Sequence, residues 1–277
     1  MAVTAVENKN YDEAIAIFEE LGDYSDSVDK IPETKYKKAE QCESDQNYEM
    51  AVQIFVELDD YSDSKNRVAD IIKEHPTAAT VGSIIKFGKY EQDNDTSNGK
   101  EDIEWLVLAK ENSNVLLISK KALDCKPYHS SYGNTTWEEC SLRRWLNDTF
   151  VNEAFTPEEQ EKILTTNVTG DVNPDYDTDA GNDTEDKVFL LSIEEANRYF
   201  KYDSERQCVS TEYAKANGAY TYEIDGASNC FWWLRSQGGY SNKSASVVNS
   251  DGTVSKYGNA VDDNRDCVRP AMWISLA

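Results

Sequence analysis

The densest potential chemistry in this chain lies in one acidic run. Asp171, Asn173, Asp175, Asp177 and Asp179 place oxygen-bearing side chains at alternate positions, as loops that wrap calcium do. The match to a helix–loop–helix calcium motif is incomplete. Tyr176 stands sixth, where the sharp turn needs glycine, and Asn182 stands twelfth, where a bidentate glutamate normally closes the shell. Seven acids and no base lie between Asp171 and Asp186. Two readings follow: a low-affinity calcium site, and an acidic loop that is simply solvated.

Other catalytic constellations are thin. There are two histidines, His75 and His129, and His75 precedes Pro76 at an expected helix end. No His-Glu-x-x-His, phosphate-cradling loop or glycine-rich dinucleotide turn occurs. Cys42, Cys125, Cys140, Cys208, Cys230 and Cys267 contain no Cys-x-x-Cys pair, so a structural zinc site is not expected. Reduced, mostly buried thiols are. No catalytic residue and no cofactor other than calcium is expected. Cys230 and Cys267 flank the C-terminal segment, and their thiols meet only if the flanking segments are neighbouring strands.

The strongest functional signal is the C-terminal segment itself. Asn229-Cys230-Phe231-Trp232-Trp233-Leu234-Arg235-Ser236 and Val268-Arg269-Pro270-Ala271-Met272-Trp273-Ile274 are apolar, aromatic anchors. Between them runs a stretch rich in Ser, Asn, Asp, Gly, Tyr and Lys. Rigid ends around a permissive polar stretch suit recognition, because binding loops are commonly carried on rigid frameworks. Tyr240, Asn242, Asn249, Tyr257, Asn259, Asp262, Asn264 and Arg265 are the expected ligand-contacting residues. Tyrosine offers large contact area at low entropy cost, and asparagine adaptable hydrogen bonds. About half of residues 241–266 should face outward, because side chains alternate along a strand. Arg235 and Arg269 sit inside apolar strands, where an unpaired charge is costly. They are expected to be buried against carboxylates or carbonyls, the alternative being an anion-binding floor to the surface.

These residues need elements to hold them. A chain of 277 residues with 6 Trp, 16 Tyr and 8 Phe has ample bulky core material. Its formal net charge of −24 argues against nucleic acid and anionic membranes as partners. No run of apolar residues is long enough for a transmembrane helix. The first residues lack a basic region followed by an apolar stretch, so no secretory signal is read there, and a cytoplasmic location is the default expectation.

Residues 10–27 and 47–64 repeat one unit. Asn10-Tyr11-Asp12-Glu13-Ala14-Ile15-Ala16-Ile17-Phe18 aligns with Asn47-Tyr48-Glu49-Met50-Ala51-Val52-Gln53-Ile54-Phe55, and Asp-Tyr-Ser-Asp-Ser closes each copy. Tyr11, Ala14, Ile15, Phe18 and Leu21 follow helical spacing. The closing Asp-Tyr-Ser-Asp-Ser predicts a turn and an N-cap for second helices over 27–41 and 64–74. Pro32 either kinks the first of these or marks its true first turn. The domain expected over 1–77 is therefore a helical repeat resembling tetratricopeptide arrays, without the full consensus. It can act as a protein-interaction arm or as a packing cap.

From Val81 the period changes, and a second domain is expected over 78–277. Short strands are predicted at 84–90, 103–108, 114–119, 188–191, 231–235, 245–248, 253–255 and 268–274. Helices are predicted over 137–150 with Thr136 as N-cap, from Thr156-Pro157, over 193–200 after Ser192, and over 211–217 before Gly218. Ser250-Asp251-Gly252 reads as a hairpin turn. Trp105, Trp145, Trp232, Trp233 and Trp273 are expected to be mainly buried.

The series Ile84-x-x-Phe87-Gly88-x-Tyr90, Ile103-Glu104-Trp105, Trp137-x-x-Cys140-Ser141-Leu142-Arg143-x-Trp145-Leu146-Asn147, Lys187-Val188-Phe189-Leu190-Leu191-Ser192, Trp232-Trp233-Leu234-Arg235-Ser236 and Val268-Arg269-Pro270-Ala271-x-Trp273 resembles a bacterial domain family of unknown function. The resemblance implies an α+β, C-type-lectin-like fold with short antiparallel strands and flanking helices, akin to formylglycine-generating enzymes. Proteins of that fold group also serve as variable proteins of diversity-generating retroelements, whose late polar residues are altered to change a binding surface. The resemblance therefore implies a non-catalytic protein that binds a protein or glycan ligand through its C-terminal face. Two alternatives stand beside it: an oxidase or other enzyme of the formylglycine-generating type, and an adaptor working through the helical repeat.

Overall fold

The computed structural model describes residues 1–277. It divides into two compact units, Met1–Ile85 together with Leu276–Ala277, and Lys86–Ser275.

The first unit is helical: α1 (Ala2–Glu7), α2 (Tyr11–Leu21), α3 (Ser27–Ser44), α4 (Tyr48–Leu58) and α5 (Ser64–Glu74), followed by a 3-10 turn at Pro76–Ala78. The repeat is written in the backbone as well as in the sequence. Lys9 and Gln46 take φ of 61° and 60°, Gly22 and Asp59 take 53° and 48°, and Ser25 and Ser62 take 58° and 55°. Ser27 and Ser64 each donate a hydroxyl hydrogen bond of 2.7 Å back to the carbonyls of Tyr24 and Tyr61. These backward bonds replace the expected side-chain caps. Asp26 and Asp63 occupy the N-cap positions without capping bonds. Pro32 lies inside α3 rather than in its first turn. α4 buries Ala51, Val52, Ile54, Phe55 and Leu58, against only Ala14 and Phe18 for α2.

The second unit mixes short helices with antiparallel sheets. In chain order it contains β1 (Ile84–Tyr90), β2 (Glu101–Glu111), β3 (Asn114–Ser119), β4 (Asp124–Cys125), α6 (Ser141–Trp145), α7 (Val151–Ala154), α8 (Pro157–Lys162), β5 (Thr166–Val168) and β6 (Thr184–Asp186). Then come α9 (Ile193–Tyr199), α10 (Asp203–Arg206), α11 (Glu212–Ala216), β7 (Thr221–Ile224), β8 (Ala227–Cys230), β9 (Trp232–Gln237), β10 (Ser244–Val248), β11 (Val254–Ala260), β12 (Cys267–Val268) and β13 (Ala271–Ser275). One sheet runs β1-β2-β3-β13 and a second β11-β10-β9-β12-β4, while β5-β6 and β7-β8 are separate ribbons.

Several expected elements change form. The strand expected over 268–274 is two. Pro270 has no N–H to give a ladder, so the chain breaks there, leaving β12 in one sheet and β13 in the other. The Ser119 N–H bonds to the Pro270 carbonyl at 2.9 Å, and Arg269 Nε donates to the Ser119 carbonyl at 3.0 Å, which fixes the corner. Residues 188–191 are buried but form no strand; Phe189 alone bridges to Ala271. The helix expected from 137 starts at Ser141 and is capped by Cys140, whose Sγ accepts from the Arg143 N–H at 3.3 Å. It then passes through a π-helical turn, Leu146–Phe150, into α7. Ser192 caps its helix as expected; Thr156 and Thr211 also act as N-caps, and Thr156 and Ser192 do so in reciprocal capping boxes.

The core gathers on β9, all six of whose residues are buried. Trp105, Trp232 and Trp233 are fully enclosed. Their indole N–H groups reach the carbonyls of Phe87 (2.7 Å), Arg206 (3.1 Å) and Lys126 (2.9 Å), so no indole donor is left unsatisfied. Trp145 and Trp273 are only half-buried. Trp273 lies on the outer face of β13, and Trp145 is roofed by the Lys126 ammonium at 4.8 Å. Trp233→Ala should therefore destabilise the second unit by about 3–5 kcal/mol, measured by chemical denaturation, whereas Trp273→Ala should cost clearly less.

Candidate functional site

The acidic run is an excursion between two paired strands. β5 and β6 pair through Thr166–Asp186, Asn167–Glu185 and Val168–Thr184, and the intervening chain carries Asp171 to Asp179. The structure sends its oxygens to different partners. Asp171 accepts from Arg235 at 2.8 Å. Asn173 is buried, donates to the Gln237 and Lys256 carbonyls at 2.7 and 2.8 Å, and accepts from the Asp175 N–H. Asp175 pairs with Lys256 at 2.9 Å. Asp179 accepts from the Gly181 N–H at 3.0 Å. No three of Asp171, Asp175, Asp177 and Asp179 bring their oxygens together. The alternate spacing admits either a shared ion or a solvated loop. Instead, separate cationic and amide donors pull each oxygen outward, and the run acts as a clamp around β9 and β11.

The eight recognition candidates fall into three places. Tyr240 and Asn242 border a 3-10 turn, Ser241–Lys243, and Tyr257 lies beside them on β11. Gly239 N–H donates to the Tyr257 carbonyl at 2.8 Å, and Tyr176 meets the Tyr257 ring edge-on at 6.0 Å. A side chain at Gly239 would meet both tyrosine rings at under 3 Å, so glycine is required there. Asn242 donates to the Asp179 carbonyl at 2.7 Å, and its own carbonyl accepts from the Thr135 N–H at 2.8 Å. Lys243 lies over Tyr132 at 5.5 Å. Tyr132, Tyr240 and Tyr257 are thus exposed around one turn. Asn249 is elsewhere, closing the β10–β11 hairpin through Thr253 at 3.0 Å. Asn259 lies near the end of β11, and Asp262, Asn264 and Arg265 belong to the turn between β11 and β12. The expected alternation fails on β10, a central strand whose side chains are buried on both faces. Sequence reasoning missed Tyr132 and Tyr176, which lie far from the C-terminal segment and join it only through the fold.

Beneath the last turn is a buried carboxyl. Asn259 Nδ2 donates to both oxygens of Asp266 at 3.1 and 2.9 Å. Burial pushes Asp266 up to about 7. Arg265 instead holds Asp263, with Nε at 3.0 Å and a second nitrogen at 2.6 Å, and keeps that carboxyl below its ordinary range. Next to Asp266 four buried thiols form a row. Cys267 pairs with Cys125 across β12 and β4. Cys230 Sγ donates to the Cys208 carbonyl at 3.3 Å, and Cys125 Sγ to the Asn264 and Asp266 carbonyls at 3.1 and 3.3 Å. Burial raises Cys208, and the Cys125 thiol raises Cys267. Cys230 is drawn down, first by the Cys208 thiol, then by Cys267, with Arg269 adding to the effect. No three of the four sulfurs converge as a metal cage needs. Cys230, at the end of β8, comes close to Cys267 because the Cys267 N–H bonds to the carbonyl of the next residue, Phe231, at 2.8 Å, and Cys267 pairs with Trp232 across β12 and β9.

Arg235 and Arg269 are both buried and partnered. Arg235 takes Asp171 and Glu195 and the carbonyls of Thr169 (3.2 Å) and Leu190 (3.0 Å). Arg269 takes the carbonyls of Ser119 and Arg206 and stacks over Trp232 and Phe200. A groove lies apart from all of these, lined by Lys86, Phe87, Lys89, Lys100, Asp102 and Phe155 among others. It holds none of the expected site residues.

The family described as Domain of unknown function (DUF6273) matches residues 112–276. The chain belongs to that family. No curated protein and no solved structure matches the chain. The DUF6273 segment begins in the turn after β2. It contains the acidic run, the thiol row and all eight recognition candidates, and leaves out the helical unit and the β1–β2 hairpin. No helix of the chain is long and apolar enough to cross a membrane.

Asp266 gives this DUF6273 segment a pH dependence. Its folded pKa of about 7 lies above the unfolded carboxyl value of 3.8. The folded state therefore binds the proton more tightly, and this group's stability is fully present below pH 3.8 and is lost as pH rises towards 7. Asp266→Asn should remove that loss. Above pH 7 the variant should be more stable than the parent by on the order of 2–4 kcal/mol. Melting temperatures of the two proteins from pH 5 to 8 check this: equal slopes would show that Asp266 is ionised without penalty.

Proposed function

We propose that the DUF6273 segment is a non-catalytic recognition module with a C-type-lectin-like fold, binding a protein or glycan through its C-terminal face. The observation that carries this reading is the tyrosine cluster around the Ser241–Lys243 turn. Tyr132, Tyr240 and Tyr257 are 55%, 56% and 54% exposed, yet the Tyr257 carbonyl accepts from the Gly239 N–H, the Tyr240 N–H donates to Ser244 Oγ, and the turn between them is tied by Asn242 to Thr135 and Asp179. Large rings on a fixed frame lose little entropy on binding. Asp175, Asp177 and Asp179 edge the cluster, which favours a neutral glycan or a basic protein surface over an anionic ligand. The buried thiols weigh against an oxidase, because Cys125, Cys208, Cys230 and Cys267 are each at most 5% exposed and redox or catalytic cysteines need access.

The finer reading, a variable protein of a diversity-generating retroelement, has a genetic test. A reverse transcriptase gene beside this one, with a near-copy of the codons for residues 230–270 differing at adenines, would support it. Neighbouring DNA without either would remove it and leave a fixed-specificity binder.

An adaptor role for the helical unit has one observation in its favour. Leu21, Tyr24 and Val28 are exposed apolar side chains around the α2–α3 turn, and clustered exposed apolar residues mark interaction sites.

For the recognition face, the full chain is screened on glycan and protein arrays beside a Tyr240→Ser, Tyr257→Ser double variant. Exposed substitutions cost about 0.5 kcal/mol or less each, so the melting temperature should move by no more than about 4 °C. The variant is expected to lose the array signals that the parent gives. Signals retained in the variant, or lost only together with the fold, would overturn the assignment of this face.

A further inference from the structure

Four carboxylates of the chain are buried: Glu91, Asp124, Asp186 and Asp266. Three of them have donors. Asp124 accepts from the Tyr90 hydroxyl at 2.8 Å and Asn217 Nδ2 at 2.9 Å, with Lys126 at 3.3 Å. Asp186 accepts from Trp137 Nε1 at 2.9 Å, Arg143 Nε at 2.7 Å and the Thr184 hydroxyl at 2.6 Å. Asp266 has Asn259. Glu91 differs: although the Asn94 N–H and Asp93 lie against its carboxyl, it is 7% exposed and its Oε1 is sealed from solvent with no hydrogen-bond partner. A buried oxygen of this kind is costly to leave unmatched.

What faces Glu91 makes the cost larger. Glu91 directly follows β1 and Glu101 begins β2, so the two stand at the mouth of one hairpin with Asp93 in its loop. One carboxylate oxygen from each of the three lies within 4.8 Å of the other two. The lysines that flank the hairpin are engaged elsewhere, Lys89 with Asp102 at 2.6 Å and Lys100 with the Glu153 carbonyl at 2.7 Å. Amide donors orient two of the acids without neutralising them. Gln92 N–H donates to Glu101 Oε2 at 2.7 Å, and Asp95 N–H and Asn98 Nδ2 donate to the two oxygens of Asp93 at 2.8 Å each. Three convergent carboxylates, two held in place and one out of water, are a ligand set for a hard cation.

We propose that the β1–β2 turn is a calcium site, with Glu91, Asp93 and Glu101 as protein ligands and loop carbonyls or water completing the shell. Calcium takes oxygen ligands at 2.3–2.6 Å, so two oxygens sharing one ion stand up to about 5 Å apart, against about 4 Å around magnesium. Oxygens within 4.8 Å of one another can share one calcium ion. Calcium supplies Glu91 Oε1 with the partner it lacks and brings three negative charges to one. This site is separate from the acidic run at 171–179 and lies outside the DUF6273 segment, so it is a property of this chain's hairpin rather than of the matched family residues.

The experiment compares chelator-treated full-length protein with and without calcium. Isothermal titration and thermal melting are run on the parent, on Glu91→Gln, and on an Asp175→Asn, Asp177→Asn double variant. Calcium should bind the parent and raise its melting temperature. Glu91→Gln should weaken binding about tenfold or more, while in chelator it melts no lower than the parent, because it removes a buried charge. The 171–179 double variant should bind as the parent does. Absence of binding at about 10 mM calcium, above the weakest class of protein calcium sites, would overturn the proposal. So would binding that survives Glu91→Gln, or magnesium binding as tight as calcium.

Discussion

Arg235 occupies the middle of a strand whose six residues are all buried, with its side chain 2% exposed. A guanidinium in that position needs anionic and carbonyl partners from several directions at once. The partners it finds come from three separate stretches of chain: Asp171 and Thr169 from the start of the acidic run, Leu190 from the extended segment before α9, and Glu195 from α9 itself. Glu195 is already committed to the Ser192 capping box, and the next N–H of that helix, Ile193, donates to Ser236 Oγ at 3.0 Å. One charge thus fixes the start of the acidic run and the first turn of α9 against β9. Removing one side of such a set leaves uncompensated buried charge, which is why these contacts act as a unit rather than as separate bonds.

The residues on either side of Arg235 extend the same frame. Trp232 lies under the Arg269 guanidinium, Trp233 packs on Tyr128, and the Gln237 carbonyl accepts from both Asn173 and Ser246. Tyr128 closes the circle by donating to the Arg235 carbonyl at 2.8 Å. The polar C-terminal segment therefore hangs on a strand that has almost no freedom. Its tyrosines can be exposed without being loose, the condition under which a surface can change side chains and keep its backbone.

How far the sequence reveals this differs from element to element, for physical reasons. The helical repeat is plain because local helix spacing and the turn residues agree, and the same positions, Gly22 and Asp59 or Ser25 and Ser62, bend the chain in each copy. The capping residues Thr156, Ser192 and Thr211 also act within three residues of themselves. Val188 to Leu191 looks like a strand because four apolar residues in a row fit one, but distant groups take its backbone bonds. Asn147 receives the Lys187 and Val188 N–H groups and donates to the Val188 carbonyl, while Arg235 takes the Leu190 and Leu191 carbonyls. The thiol row is equally hidden, since it needs β4, β8 and β12 to meet across most of the domain. In the acidic run, the spacing of oxygens is visible in the sequence but the positions of Arg235 and Lys256 that pull them apart are not.

Residue type alone does not separate frame from surface in the C-terminal segment; hydrogen-bond partners do. Asn242, Asn249 and Asn259 look alike in the sequence as adaptable contact residues. In the fold each gives its amide to the protein: to the Asp179 carbonyl, the Thr253 hydroxyl and the buried Asp266 carboxyl. An amide so engaged must first break that bond to reach a ligand, and at Asn259 this would leave a buried carboxyl without its donor. Arg265 is likewise neutralised by Asp263. Tyr240, Tyr257, Asp262 and Asn264 have exposed side chains and carry no such obligation. A recognition surface built here would therefore read its ligand through the phenols and the two free polar ends, and hold its shape through the asparagines. Tyrosine and asparagine are both good contact residues in general, but in this chain their roles divide.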